Sequence, residues 1–224
     1  MMRSKRGGMT LGLFDGGSAE PRKEILTSGA FILRGFALPD EAALLTALQA
    51  VTAKSPFRHM VTPGGFRMSV AMTNCGALGW ITDKTGYRYD AIDPESGRRW
   101  PSMPASFLTL AKAAALEAGF QDFLPDACLI NRYELGARLS LHQDKNEVDY
   151  SAPIVSVSLG VPAVFLFGGL TRSDKTKRVS IIHGDVVVWG GPARLRYHGI
   201  LALKEGQHPL LGGYRVNLTF RKAG

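Results

Sequence analysis

Cysteine is nearly absent from this chain: Cys75 and Cys128 are its two thiols in 224 residues. Two thiols cannot build a four-thiolate metal centre or a disulfide framework. Both lie in apolar, strand-like contexts, so they are expected as buried free thiols of a reducing cytosol. No apolar run approaches the roughly 20 residues that a membrane-crossing helix needs. The early Arg and Lys residues are not followed by the apolar segment of a secretory signal. Internal repeats and low-complexity tracts are missing too, and no composition shift marks a second domain. Acidic residues are in the minority, 19 against 27 Lys and Arg, for a formal charge of +8. That balance favours polyanionic partners without identifying one.

What the chain does contain falls into three stretches. Residues 1–20 are Gly-rich and partly basic and read as a loose tail; residues 21–224 read as a single domain. A strand is expected over 30–36. A helix should then run from Pro39 to about 53, with acids in its first turn and Leu44, Leu45 and Leu48 as its core stripe. Residues 55–65 read as a loop and 68–75 as a strand. From 76 to 104 Gly, Pro, Trp, Tyr and Arg occur without sustained periodicity, which suits a lid or a binding surface. A second helix over 104–118 should end at Gly119. Beyond Asp122, Gly/Pro turns separate eight short strands: 127–133, 139–142, 154–159, 163–167, 179–182, 186–189, 195–198 and 214–220. Short strands with such punctuation predict a sandwich or jelly roll, in an α+β, mainly β fold.

His142 and Asp144 stand two apart, and an extended 139–144 segment would send both side chains to one face. A second imidazole from elsewhere would complete two histidines and one carboxylate, the facial set that leaves three metal positions open in non-haem Fe(II) oxygenases. His198, in Tyr197-His198-Gly199-Ile200, is the best candidate. His59, His183 and His208 have blander settings in loops and turns. Arg215, Asn217 and Arg221 fall at even spacing on a Val/Leu/Phe strand and should share one face, with Val216, Leu218 and Phe220 on the other. Two guanidiniums aimed inward need anions, and a small dicarboxylate beside a metal would supply them.

On these residues the chain resembles the AlkB family of Fe(II)- and 2-oxoglutarate-dependent dioxygenases. The matching stretches are Ser55-Pro-Phe-Arg to Trp80, Pro125-Asp-Ala-Cys-Leu-Ile-Asn131-Arg-Tyr133, and Leu139-Ser-Leu-His142-Gln-Asp144-Lys. They continue with Phe165-Leu-Phe-Gly-Gly-Leu, His183-Gly-Asp-Val-Val-Val-Trp189-Gly-Gly, and Arg215 to Arg221. Together they span nearly everything from about residue 30 to 223. The resemblance implies a double-stranded β-helix (jelly roll) core over about 122–222, N-terminal helices, and a nucleotide-recognition lid over about 55–100. It assigns Fe(II) to His142, Asp144 and His198. It assigns 2-oxoglutarate to Asn131, Tyr133, Arg215, Asn217 and Arg221, one arginine on the distal carboxylate and the other at the chelating end; O2 is the second co-substrate.

The same resemblance implies oxidative demethylation of N-alkylated bases, with 1-methyladenine and 3-methylcytosine as types, releasing formaldehyde, succinate and CO2. The implied partner is alkylated DNA, with RNA as a second candidate, for a cytoplasmic monomer that meets no membrane. Met72, Trp80, Tyr87, Arg88, Tyr89, Asn146 and Arg172 align with the nucleotide-binding lid and pocket. Trp80 would stack on a flipped base, with His142 on its other side. Two positions depart from close bacterial relatives: Asn146 stands where they carry Asp, and Phe66 where they usually carry Tyr. The competing readings are the same chemistry on tRNA or a small molecule, and a non-catalytic jelly-roll binding module.

Overall fold

The computed structural model describes residues 22–224; the tail expected over 1–20 lies outside them. Its elements, in chain order, are β1 (Arg22–Thr27), β2 (Ala30–Arg34), α1 (Glu41–Lys54), β3 (Ala71–Gly76), β4 (Gly79–Asp83), β5 (Gly86–Asp90), α2 (Ala105–Glu117), β6 (Ala127–Tyr133) and β7 (Leu139–His142). They continue through β8 (Ile154–Gly160), β9 (Ala163–Phe167), β10 (Lys177–Ile181), β11 (Val186–Trp189), β12 (His198–Ile200) and β13 (Arg215–Arg221). A seven-stranded sheet in the order β1-β2-β11-β8-β13-β6-β3 faces a four-stranded sheet in the order β10-β9-β12-β7. This is the mainly β jelly roll with N-terminal helices that the turn spacing predicts.

Alternation along β13 explains the layering. Val216, Leu218 and Phe220 point outward and pack with Leu44, Leu48, Phe107 and Leu110 of the two helices. Arg215, Asn217, Thr219 and Arg221 point inward, into the space between the sheets. Trp189, Phe165, Phe167 and Ile200 fill the dry part of that inner layer. Burying an apolar side chain contributes about 1.5–3 kcal/mol, so the two layers hold the sheets at a fixed separation, and that fixes the site.

Both helices end where local chemistry says they should. Pro39 lies in a 3-10 turn leading into α1, and Pro104 in extended backbone precedes α2. Gly119 follows α2 at φ +94°, donating to the Leu116 carbonyl while Phe120 donates to that of Ala115. This is a left-handed stop that favours glycine. Val51 rather than Leu45 completes the buried stripe of α1.

Three expectations need correcting, and one strand went unread. The 76–104 stretch is not irregular throughout, because β4 and β5 pair there as a two-stranded hairpin. The polar β1 extends the large sheet without any apolar alternation to announce it. The strand expected over 30–36 stops at Arg34, before Gly35 at φ +63°. The strand expected over 195–198 begins at His198 instead, since Leu195 lies in the turn after Gly191–Ala193. Cys75 and Cys128 are free, buried, and directly opposite each other across β3 and β6. Among the described residues no helix is long and apolar enough to cross a membrane.

Candidate active site

His142 and His198 stand directly opposite each other where β7 pairs with β12. Their rings lie 4.4 Å apart, centroid to centroid, tilted by 54°. Gly199 permits this approach: a Cβ there would lie 2.6 Å from the Leu139 carbonyl oxygen. Each ring has Nδ1 on a backbone carbonyl, His142 on Ser140 at 2.8 Å and His198 on Arg196 at 3.1 Å. A carbonyl only accepts, so both Nδ1 atoms carry the proton and both Nε2 lone pairs are free. Those lone pairs face Asp144, His142 Nε2 at 3.6 Å from Oδ1 and His198 Nε2 at 3.6 Å from Oδ2. The donor atoms of all three residues lie within 4.8 Å of one another.

The strand does not carry Asp144 as an extended 139–144 segment would. β7 stops at His142, and other contacts hold the carboxylate. Arg221 donates to Oδ2 from Nε at 3.0 Å and from Nη2 at 2.8 Å, while Arg194 donates to the Asp144 carbonyl at 2.8 Å. Burial would raise the carboxyl's pKa, but Arg221 and His198 overcome that and hold it well below the usual carboxylate range. Burial, with His198 alongside, pushes the His142 imidazole down to about 4. At neutral pH it is therefore an uncharged donor.

A second group of possible ligands, Glu41, His183 and His208, brings its donors equally close, but its chemistry differs. His183 Nδ1 accepts from the Gly160 N–H at 2.9 Å, which leaves its Nε2 protonated and donating to Glu41. The two rings stack 4.2 Å apart at 24°, so their lone pairs lie in two nearly parallel planes. Converging lone pairs are what a metal requires, and the 54° tilt at His142/His198 provides them.

The inter-sheet cavity over this cluster has a volume of about 830 Å³. Its far end is Arg215, 1% exposed, with Nη2 on Ser158 Oγ at 3.2 Å and its guanidinium 4.8 Å over the Tyr133 ring. Among the described residues its Nε and Nη1 have no partner, and neither has Asn131 Oδ1. Buried polar atoms are almost always paired, so the two unspent Arg215 donors fit an anionic ligand with several oxygens, and Asn131 joins them only with its amide turned to present Nδ2–H. Asn217 lines the cavity, but its amide is spent on Ser156 Oγ and the Val157 carbonyl, and its Oδ1 accepts from Thr219. Arg221 stands six residues from Arg215, about 20 Å along a strand, so the two cannot grip one carboxylate.

At the mouth, Trp80 and Tyr87 stack at 5.7 Å and Trp80 Nε1 approaches Asn146 Oδ1 at 3.4 Å. Met72 and Arg172 also line the cavity. Arg88 and Tyr89, expected with them, do not. Arg88 bonds Asp83 within its own hairpin at 2.8 Å. Tyr89 donates to Glu147 Oε1 at 2.6 Å, behind the metal cluster, and Arg221 reaches the same phenol oxygen at 3.4 Å. Phe66 stands at the rim, 76% exposed.

Glu147 and Arg194 escaped sequence reasoning, although Glu147 lies three residues past Asp144. They pair at 3.1 Å, both buried, and Glu147 also lies 3.4 Å from Arg221. A charged pair from two distant loops has no periodicity by which it could be read.

Comparison with known proteins agrees with this geometry. The family described as 2OG-Fe(II) oxygenase superfamily matches residues 29–221. The chain is 61% identical over 206 residues to the alpha-ketoglutarate-dependent dioxygenase AlkB of Escherichia coli K12, covering 92% of this chain and 95% of that protein. It is 33% identical over 124 residues to the human nucleic acid dioxygenase ALKBH1, covering 55% and 31% of the two chains. Among solved structures, that of OsALKBH1 superposes with a TM-score of 0.76 at 30% identity, over 90% of this chain and all of that one.

Proposed function

Because this chain belongs to the AlkB family of Fe(II)- and 2-oxoglutarate-dependent dioxygenases, we propose that it removes alkyl groups from the nitrogens of nucleobases by oxidation. One observation carries the reading. The cavity that holds a two-imidazole, one-carboxylate cluster also holds a buried arginine with two unpaired donors. When bound, Fe(II), 2-oxoglutarate and O2 supply oxidation of an N-methyl C–H bond, which ends in formaldehyde, the free base, succinate and CO2.

His142, Asp144 and His198 hold the iron in this reading, with Arg221 fixing the rotamer of Asp144. Arg215 takes the distal carboxylate of the co-substrate, beside Asn131 and the Tyr133 ring. Trp80, Tyr87 and Met72 form an aromatic and apolar wall for the base, in the lid over about 55–100. His142 keeps a third of its side chain open toward the cavity mouth, 33%, and closes on the base from the metal side. No protein group is asked to move a proton from the substrate, because the hydroxylated methyl leaves by itself.

The substrate is alkylated DNA in this reading, with RNA as the second candidate. Arg67, Arg138, Lys145 and Arg172 line the rim, which suits a phosphate backbone better than a small neutral molecule. In this reading the enzyme acts as a monomer. The two free buried thiols suit a reducing compartment, and we assign the enzyme to the cytoplasm.

Release of formaldehyde and succinate in equal amounts from oligonucleotides carrying 1-methyladenine or 3-methylcytosine is the expected result. Succinate alone, or neither product, would exclude the dealkylation. Asn146 tunes the choice among bases, since its amide keeps hydrogen bonding beside Trp80 but carries no charge. Asn146→Asp should therefore favour cationic 1-methyladenine over neutral ethenoadenine by about fivefold, the size of a partly exposed charge pair. An unchanged ratio of kcat/KM values would remove Asn146 from base selection.

A further inference from the structure

The β4–β5 hairpin carries the aromatic face of the cavity mouth, and a buried side chain that no motif assigned holds it in place. Asn74, on β3, is 0% exposed. Its Oδ1 accepts from the Trp80 N–H at 3.0 Å, and its Nδ2 donates to the Trp80 carbonyl at 3.0 Å. An N–H only donates and a carbonyl only accepts, so this pairing fixes which end of the amide is which. The side chain does for Trp80 what a neighbouring strand would do.

Register shows why Trp80 needs such a partner. It lies directly opposite Tyr89 in the hairpin. Every second rung of an antiparallel pair turns its polar groups outward, and Trp80 turns both of its own toward Asn74. The approach is close: a Cβ on Gly79 would collide with the Trp100 ring and lie 2.9 Å from Asn74 Cβ. A two-stranded hairpin is marginally stable alone, so its setting comes from its anchors. Glu147 holds the Tyr89 hydroxyl, and Trp100 Nε1 donates to the Asp90 carbonyl at 2.9 Å. Those two hold β5. Asn74 holds β4, at the residue whose ring forms the stacking wall. The indole itself is held loosely, stacked on Tyr87 at 5.7 Å with Nε1 3.4 Å from Asn146 Oδ1.

We infer that Asn74 is the positioning residue for Trp80: by clamping both backbone polar groups of that residue it sets the plane of the indole, and with it the preference for a cationic alkylated base over the unmodified one. This deepens the proposed function and rests on it. A cation is attracted to the face of an aromatic ring, so an indole free to tilt still offers apolar surface but no longer selects charge. Asn74 does not itself line the cavity; it acts through Trp80.

The test measures binding without turnover, by fluorescence anisotropy of labelled oligonucleotides on protein loaded with Mn(II) and 2-oxoglutarate. The readout is the ratio of Kd values for an adenine oligonucleotide and the same oligonucleotide carrying 1-methyladenine. Asn74→Leu keeps the volume and removes both hydrogen bonds; it should lower that ratio by about tenfold, part of what stacking on one ring supplies. Asn74→Asp keeps the acceptor for the Trp80 N–H but turns a carboxylate oxygen toward its carbonyl. It should lower the ratio in the same sense, so the result does not hang on one variant folding. With Trp80→Ala already in place, Asn74→Leu should change the ratio by less than about twofold, because the two residues act as one unit. The Kd for 2-oxoglutarate, read by calorimetry, should stay within about twofold of wild type in both Asn74 variants, which a general loosening of the fold would not allow. A ratio unchanged in both variants, a loss that persists undiminished without Trp80, or a parallel loss of 2-oxoglutarate binding would overturn the assignment. A wild-type protein that does not distinguish the two oligonucleotides would instead overturn nucleobase dealkylation.

Discussion

Arg215→Met is expected to raise the thermal midpoint of the ligand-free protein and to weaken 2-oxoglutarate binding by about 100-fold or more. Arg215 is buried, its pKa is lowered by that burial, and among the described residues no carboxylate pairs with it. A buried charge without a counter-ion is a standing cost. Its compensation here is one serine hydroxyl and the face of Tyr133, and a cation over an aromatic face contributes about 0.5–2 kcal/mol. Methionine fills similar volume, packs against Tyr133 and removes the charge. Against this, losing one member of a desolvated charge pair costs about 2–5 kcal/mol of binding, hence the 100-fold. Thermal melts with and without Mn(II) and 2-oxoglutarate read both effects. A ligand-free variant less stable than wild type, or one still strongly stabilised by 2-oxoglutarate, would contradict this account of Arg215.

Asp144→Ala should behave in the opposite sense. Activity should fall below detection, bound iron should drop to background, and the metal-free protein should lose about 3–5 kcal/mol, the usual cost of breaking a buried pair. The stability loss arises because Arg221 keeps only the longer contacts to Glu147 and the Tyr89 hydroxyl, each at 3.4 Å, in place of two bonds of 3.0 Å or less. Adding Arg221→Met to Asp144→Ala should recover most of that stability and none of the activity. Chemical denaturation with iron analysis distinguishes these outcomes; a single variant as stable as wild type would mean that Glu147 alone neutralises Arg221. The effect depends on pH in a definite direction. The folded pKa of Asp144 lies below its unfolded value of about 3.9, so the pair contributes fully above about pH 4. Its contribution is lost as pH falls through the folded value.

Much of this was legible in the residues, for physical reasons. The alternation of β13 separates a polar face from an apolar one, and a period of two survives any tertiary context that keeps the strand buried. The pair His142 and Asp144 could be read together, although β7 ends between them and Arg194 and Arg221, not strand geometry, set the carboxylate. The β4–β5 hairpin was harder. Trp80-Ile81-Thr82 and Tyr87-Arg88-Tyr89 do alternate, but one face mixes three aromatics with Thr82 and the other pairs Ile81 with Arg88, so hydrophobicity alone shows no period. Tyr87 and Tyr89 share a face and still serve different ends, one at the cavity mouth and one against Glu147. Only the fold brings Glu147 there.

The charges around the cluster carry one more consequence. Asp144 and Glu147 offset Arg194 and Arg221, which leaves Arg215, among the described residues, as a buried cation of the chamber without a counter-ion, beyond the exposed cations of its rim. A divalent cation entering by itself would add two positive charges to that excess, whereas a dianion accompanying it restores the starting sum. Ferrous ion and keto-diacid are therefore linked ligands: whatever factor the acid adds to iron's affinity, iron must return to the acid's in equal measure.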